Sequence, residues 1–171
     1  MLVLMAGLPG TGKSTLSRAL AAEFGGTTID KDQVRAALFS SADIEYSTQQ
    51  DDFSMAIMLK VAGYLFRKDP SRMIFFDGRT FSRTYQLGRA TGYAKAIGQR
   101  WRIIECVCCQ ETARKRLISE ANHPALNRNF DLYLEVKARF EEITFPKVVI
   151  DTEHPLEECV ETARAALQTG E

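Results

Sequence analysis

The sequence predicts a doubly wound α/β fold, with a sheet of five parallel strands and helices on both faces. Three observations carry that prediction. Short apolar runs alternate with helical stripes along the whole chain. A glycine-rich turn, Gly7-Leu8-Pro9-Gly10-Thr11-Gly12-Lys13-Ser14-Thr15, joins the first run to the first stripe. Asp30 and Asp32, Asp77, and Asp151-Thr152 follow the carboxyl ends of apolar runs, the edge at which such sheets bind ligands.

The elements follow in order. Leu2-Val3-Leu4-Met5-Ala6 is uninterrupted in its apolarity, the pattern of a strand buried on both faces. Leu16, Ala19, Leu20, Ala22 and Phe24 form a helical stripe that stops at Gly25-Gly26. A short strand, about Thr27-Thr28-Ile29, leads to Asp30-Lys31-Asp32, and a helix to Phe39 takes Asp32 as its N-cap. Residues 40–46 read as a loop. Ser47-Thr48-Gln49-Gln50 resembles a capping box. Phe53, Ile57, Val61 and Leu65, with Met58 and Ala62 beside them, mark one long amphipathic helix stopped at Asp69-Pro70, with Phe53 in the core.

Met73-Ile74-Phe75-Phe76 is the third strand and Asp77 closes it. A turn at 78–82 precedes a helix carrying Leu87, Ala90, Ala94 and Ile97, capped at Gly98. The fourth strand spans 102–108, with Glu105 out of place in a central strand. A helix at 111–121, a loop at 123–129 and a helix marked by Leu132, Val136, Phe140 and Ile143 follow. Pro146 breaks the chain before the last strand, Val148-Val149-Ile150, and the last helix runs from Pro155 with Leu156, Val160, Ala163 and Leu167 inward.

A chain of 171 residues without repeats or a linker reads as one domain. Lys+Arg and Asp+Glu each number 22, which argues against a broad nucleic-acid surface while leaving room for a local basic groove. The first six residues lack a basic leader and read as a strand, and no apolar run reaches the length of a membrane span. Cys106, Cys108, Cys109 and Cys159 have no zinc spacing and read as small buried hydrophobes of a reducing, cytoplasmic setting.

The glycine turn fits Gly-x-x-x-x-Gly-Lys-Ser/Thr at Gly7, Gly12, Lys13 and Ser14. Glycines at 7, 10 and 12 open backbone conformations closed to other residues and keep side chains away from an anion. Amides of the turn and of the helix start then face a polyphosphate. In that arrangement Lys13 reaches the β- and γ-phosphates, the Ser14 hydroxyl ligates Mg²⁺, and Thr15 supports the α-phosphate side. Phosphoryl transfer to a hydroxyl needs a carboxylate to take its proton. Asp32 is the leading candidate and Asp30 the fallback, either as base or as a ligand of a Mg²⁺-bound water. Arg35, one helical turn on, faces the acceptor or the transferring phosphate. Asp77 suits Mg²⁺, directly or through water. Arg79 and Arg83 are candidates for an anionic acceptor. Arg114, Arg116 and Arg128 bracket a lid at about 114–130, with Arg116 ahead of Arg128 as the phosphate contact. Tyr46, Phe53 and Tyr64 fall where an acceptor pocket would be roofed.

Four stretches carry a family resemblance: Gly7 to Thr15, Asp30-Lys31-Asp32-Gln33-Val34-Arg35, Ile74-Phe75-Phe76-Asp77 with its turn, and the arginine-bearing segment 111–128 followed by Phe140-Glu141 and Val149-Ile150-Asp151-Thr152. The chain resembles the small P-loop kinases, a group that includes polynucleotide 5′-kinase, gluconate kinase, adenylylsulfate kinase, chloramphenicol phosphotransferase and zeta toxin. The resemblance implies a three-layer P-loop NTPase fold with strand order 2-3-1-4-5. It implies ATP–Mg²⁺-dependent phosphorylation of a hydroxyl, with Asp32 as the family's base and Arg35 as its acceptor-side arginine. It also implies adenine packing near the lid arginines and Asp151-Thr152. The ligand set so assembled is Gly7, Pro9, Gly10, Thr11, Gly12, Lys13, Ser14, Thr15, Arg116, Arg128 and Thr152. None of the four stretches names the acceptor, since members of the group differ mainly in the helical acceptor-side region, about 36–66, and at 78–90.

A small-molecule kinase suits the neutral charge and the helical cap at 47–68. A polynucleotide or RNA 5′-hydroxyl kinase would need a basic groove from residues such as Arg79, Arg83, Arg89, Lys95 and Arg100. A nucleotide-dependent switch ATPase is the alternative of a different class, and a toxin acting on a nucleotide-sugar is a further one.

Overall fold

The structure, a computed structural model, describes residues 1–119 and 129–169. Five parallel strands form one sheet: β1 (Leu2–Ala6), β2 (Thr27–Asp30), β3 (Ile74–Asp77), β4 (Trp101–Val107) and β5 (Val148–Asp151), in the order β2-β3-β1-β4-β5. Helices α1 (Lys13–Phe24), α2 (Lys31–Leu38), α3 (Thr48–Lys68), α4 (Thr84–Ala96), α5 (Gln110–Ser119), α6 (Phe130–Ala138) and α7 (Leu156–Gln168) make the connections, with a short 3₁₀ turn at Ser41–Asp43. The strand order implied by the family resemblance is the one observed. Among the described residues no helix is long and apolar enough to cross a membrane.

The central strand explains the layering. β1 is buried throughout, and its residues divide with period two. Leu2, Leu4 and Ala6 join Met58, Phe76, Leu87 and Ile103 under α3 and α4. Val3 and Met5 join Leu16, Leu20, Phe75, Ile104, Cys159 and Ala163 under α1 and α7. Phe75 and Phe76 are adjacent on β3 and fill opposite layers. A smaller cluster of Ala113, Leu117 and Tyr133 ties α5 to α6. Because every strand is parallel, the loops after β1 to β5 all emerge at one edge.

Five local readings change. The buried face of α3 is Met55, Met58, Leu59, Ala62 and Phe66, whereas Phe53 is 52% exposed and meets Phe39 edge-on at 5.8 Å. A strict four-residue row drifts by roughly 40° per step at 3.6 residues per turn, so Phe53 and Leu65 cannot share one face. The cap of α2 is Asp30, whose carboxylate accepts from the amides of Asp32 (2.7 Å) and Gln33 (3.2 Å). α6 ends at Ala138, and Ile143 reaches the core from the irregular segment beyond it. Glu105 is accounted for by Lys147, whose Nζ sits 2.7 Å from its carboxylate, so the charge on β4 is neutralised beside the edge strand β5. Of the cysteines, Cys106 and Cys159 are buried as expected, but Cys109 is exposed.

Candidate active site

The turn after β1 approaches its neighbours too closely for side chains. Gly7 has φ 128°, and a Cβ there would stand 2.3 Å from the carbonyl oxygen of Cys106 on β4. Gly12 is the left-handed N-cap of α1, so the helix begins at Lys13 with its first amides turned toward the loop. Lys13 is buried, and its Nζ donates to the carbonyls of Gly7 (2.9 Å) and Leu8 (2.7 Å). The Thr11 hydroxyl also donates to Leu8 (2.8 Å). Thr15 is exposed on the first turn of α1.

Beside this loop opens a cavity of about 480 Å³, lined by Pro9, Lys13 and Ser14 on the loop side and by Asp32, Arg35 and Asp77 among others. Its floor holds a compact charge cluster. Arg35 Nη1 is 3.1 Å from Asp32 Oδ1, and Arg35 Nη2 pairs with Asp51. Lys31 Nζ lies 2.8 Å from Asp51 and 3.3 Å from Asp32. The Arg35 guanidinium also covers the Tyr46 ring at 5.1 Å. Burial pulls the Lys31 ammonium down to about 8, with Asp32 opposing and the charges of Arg35 and Arg79 reinforcing the shift. Asp51, from the first turn of α3, therefore completes a two-cation, two-carboxylate arrangement.

Asp77 ends β3 in register with Asp30 of β2. Its Oδ1 is buried without a hydrogen-bond partner. Burial and then the Asp77 charge push the Asp30 carboxyl above the usual range, while the two amides it caps pull the other way. The cavity thus presents a carboxylate with an unused oxygen and the Ser14 hydroxyl, a donor set that fits a hard divalent cation such as Mg²⁺.

On the far side of the loop, α5 and β5 meet it through one arginine. Arg116 Nη2 donates to the Thr152 carbonyl (2.7 Å), and its Nη1 donates to the Thr152 hydroxyl (2.9 Å) and to the Gly10 carbonyl (3.4 Å). The Thr152 hydroxyl bonds in turn to the carbonyls of Thr11 (3.0 Å) and Val107 (3.1 Å). Glu153 accepts from the Thr112 hydroxyl (2.6 Å) and the Cys109 amide (3.0 Å), contacts that hold its carboxyl down at about 2.

Lys13, Ser14, Asp32, Arg35 and Asp77 thus share one cavity with Arg79, Arg83 and Tyr46, while Arg116 and Thr152 pair on the opposite flank of the loop. Tyr64 and Phe53 do not line the cavity. Arg114 stacks over Phe130 at 5.5 Å. Arg128 and the middle of the expected lid lie outside the described residues. Lys31, Asp51, Tyr85 and Arg139, all cavity residues, were not singled out from the sequence. The acidic pair Asp51-Asp52 near the start of a long helix was the available signal, but for Asp51, in the first turn, a favourable helix-dipole position explains it equally well.

A family model described as an AAA domain matches residues 2–143. The chain belongs to that family. The match begins with β1 and carries through Asp32, Asp77 and Arg116, leaving β5 and α7 outside it. Solved structures share the P-loop kinase fold. The Mycobacterium tuberculosis APS kinase in complex with AMPPNP and APS aligns with TM-score 0.74 at 15% identity, over 98% of this chain and 97% of that one. A gluconokinase from Sinorhizobium meliloti aligns with TM-score 0.70 at 16% identity, over 96% and 90%. The Deinococcus radiodurans tunicamycin resistance protein aligns with TM-score 0.71 at 16% identity, over 99% and 96%. No curated protein matches the chain.

Proposed function

We propose that this AAA-family chain is an ATP-dependent phosphotransferase that moves the γ-phosphate of Mg-ATP to a hydroxyl of a small molecule in the cytoplasm. The observation that carries this reading is that one cavity of about 480 Å³ joins the phosphate loop to the buried carboxylate of Asp32. That volume lies within the range of small-molecule sites. The likeness to structures described as an APS kinase with AMPPNP and a gluconokinase supports the same class.

Residue roles follow from position. Gly7, Pro9, Gly10, Thr11, Gly12 and Thr15 shape the triphosphate cradle, and Lys13 swings from its loop carbonyls to the β- and γ-phosphates. Arg116, beside Gly10 and braced by Thr152, holds the nucleotide and offsets charge on the transferring group, with Arg128 from the lid as its companion. Ser14 and Asp77 would hold Mg²⁺, with Asp30 as an outer contact through water. The ion would neutralise charge building on the phosphate oxygens. Asp32 takes the proton of the acceptor hydroxyl as its oxygen bonds to the γ-phosphorus. The bond from that phosphorus to the β,γ-bridging oxygen breaks, and ADP leaves with the electron pair. Arg35 orients the acceptor from beside Asp32. In this reading residues 1–171 form a single kinase domain, with 36–66 as the acceptor-side region and about 114–130 as a lid that excludes water.

The test follows γ-labelled phosphate from Mg-ATP into pools of sugars and sugar acids, nucleosides and nucleotides, aminoalcohol antibiotics and 5′-hydroxyl oligonucleotides. Asp32→Asn should abolish transfer while ATP affinity holds, and Lys13→Ala should lose both. Full transfer by Asp32→Asn would remove Asp32 as base. Label found only in inorganic phosphate would favour a switch ATPase instead.

A further inference from the structure

α3 carries two apolar stripes, and the fold uses only one of them. Met55, Met58, Leu59, Ala62 and Phe66 are buried against the sheet. The second stripe is Phe53, Ile57, Val61 and Tyr64, where the last step of three residues turns back the drift of the two steps of four. Phe53, Val61 and Tyr64 are exposed at 52%, 40% and 54%, with Ile57 half-buried between them. At 1.5 Å per residue the row is about 16 Å long. α2 widens it, since Phe39 meets the Phe53 ring and Leu38 is exposed beside it in sequence. Among the described residues, four of the ten exposed large hydrophobics therefore belong to α2 and α3, and grouped exposure of this kind marks a contact surface.

Charge is divided along the same face. Lys60, Arg67 and Lys68 are exposed on its C-terminal half, and the last two cover the Tyr64 ring. Asp43 and Glu45 are exposed at its N-terminal end. The Gln50 side chain holds their segment against the first turn of α3, donating to the Asp43 carbonyl (2.8 Å) and accepting from the Glu45 amide (3.1 Å). Gln50 precedes Phe53 by three residues and so lies on the same side. The acids of α3 itself are used elsewhere: Asp51 pairs with Lys31 and Arg35, and Asp52 with Arg79 and Arg89. Asp69, beyond the helix, is turned to Ser71 and Arg72. α2 adds no outward charge, because Lys31, Asp32 and Arg35 are buried. Asp43 and Glu45 receive only serine hydroxyls, and among the described residues no ion pair engages them or the three cations.

A face that is acidic at one end, apolar in the middle and basic at the other complements itself only when two copies run antiparallel; parallel copies would set like charges together. We propose that α3 is a self-association face, on which two copies of this chain pair through antiparallel α3 helices about a two-fold axis at Ile57. Phe53 then meets the partner's Val61, and Arg67 and Lys68 reach the partner's Asp43 and the partner's Glu45. Nothing in this pairing depends on the phosphotransferase reading.

The test is sedimentation velocity on the full chain over about a hundredfold range of concentration. The expected result is a passage from the mass of one chain to that of two. Val61→Lys should raise the dissociation constant at least tenfold, while Ile118→Lys, at a position 71% exposed on α5, should leave it unchanged. Lys68→Glu and Glu45→Lys should each weaken pairing severalfold, and the two together should restore it, because each changed residue then meets its changed counterpart. Thermal melts separate lost pairing from lost folding, and the exposed charge variants keep the test open if Val61→Lys does not fold. One-chain mass at every concentration overturns the proposal and gives the face to a different occupant. Pairing that survives Val61→Lys, or that Ile118→Lys abolishes, overturns it too. So does a double charge swap that pairs no better than either single change.

Discussion

Asp51→Asn is the sharpest probe of the charge cluster. Asp51 supplies one of two carboxylates to a pair of cations whose side chains are 9% and 3% exposed. The substitution keeps the shape and removes the charge, leaving Lys31 and Arg35 to share Asp32. Breaking a fully buried pair by removing one partner costs about 3–5 kcal/mol. The Asp51 carboxylate is itself 24% exposed, and water would recover part of that loss. The expected destabilisation is therefore about 2–3 kcal/mol, read as a shift in urea midpoint at unchanged slope. For a chain of this size that corresponds to a fall of roughly 4–12 °C in Tm. The catalytic consequence follows from the same geometry. With Asp51 neutral, Arg35 and Lys31 close on Asp32 and compete with the acceptor hydroxyl for it. The turnover number should fall while ATP affinity holds. A stability loss under about 0.5 kcal/mol would refute the reasoning, because it would mean that solvent already screens the cluster and that Asp51 holds neither cation in place.

Lys31 makes a pH prediction. The unfolded lysine keeps its proton to about 10.5 and the folded one to about 8, so between those values the unfolded state binds more protons and stability gains with rising pH. Urea midpoints at pH 7.5 and 9.5 should show that gain in the wild type relative to Lys31→Met, which lacks the group; Asp32, Asp51, Arg35 and Arg79 are the charges facing it. Gly7→Ala should destabilise by about 3 kcal/mol or more and abolish nucleotide binding, since a Cβ at φ 128° would overlap the Cys106 carbonyl, a contact that calorimetry with AMPPNP and thermal melts together can check. Thr152→Val should weaken AMPPNP binding severalfold and cost about 1–2 kcal/mol of stability, because it removes a hydroxyl that joins Arg116 to the loop. Wild-type AMPPNP affinity in Thr152→Val would show that the Arg116 brace is idle in the liganded protein.

The sheet was legible because its signals are local. Each strand is a short apolar run, and the residues that end β2, β3 and β5 are polar because the chain there leaves the core. The phosphate loop was legible for the same reason, with all its constraints inside nine consecutive residues. What failed was the assignment of faces and caps. In α3 the eye follows Phe53, Ile57 and Val61, but the core takes the neighbouring Met58 and Ala62 together with Met55, Leu59 and Phe66, and only the layer above β1 decides between the two stripes. At the start of α2, Asp30 and Asp32 both suit an N-cap. The structure gives the cap to Asp30, which leaves Asp32 free to face Lys31 and Arg35.

The acceptor wall could not be read, because its partners meet across long stretches of chain. Lys31 finds Asp51 at a separation of 20 residues, Arg79 finds Asp52 at 27, and Arg83 finds Glu141 at 58. No periodicity encodes such pairs; they exist only once α2, α3, the turn after β3 and the segment after α6 are brought together. The consequence bears on function. The phosphate loop is contiguous in sequence, so the nucleotide half of the site can be recognised at low identity. The opposite wall of the cavity is assembled from four separate segments, around residues 31–35, Asp51, residues 77–86 and residues 132–141. Arg79 is buried in that wall, follows the turn at Gly78 and pairs with Asp52. Acceptor choice should therefore change when Arg79 or Asp52 changes and persist through substitutions in the loop that merely weaken ATP. Kinetics on Asp52→Asn can separate the two. With Asp52 neutral, Arg79 loses its ion pair, and KM for the acceptor should change while KM for ATP stays constant. A parallel rise in both constants would instead mean that Asp52 serves the fold alone.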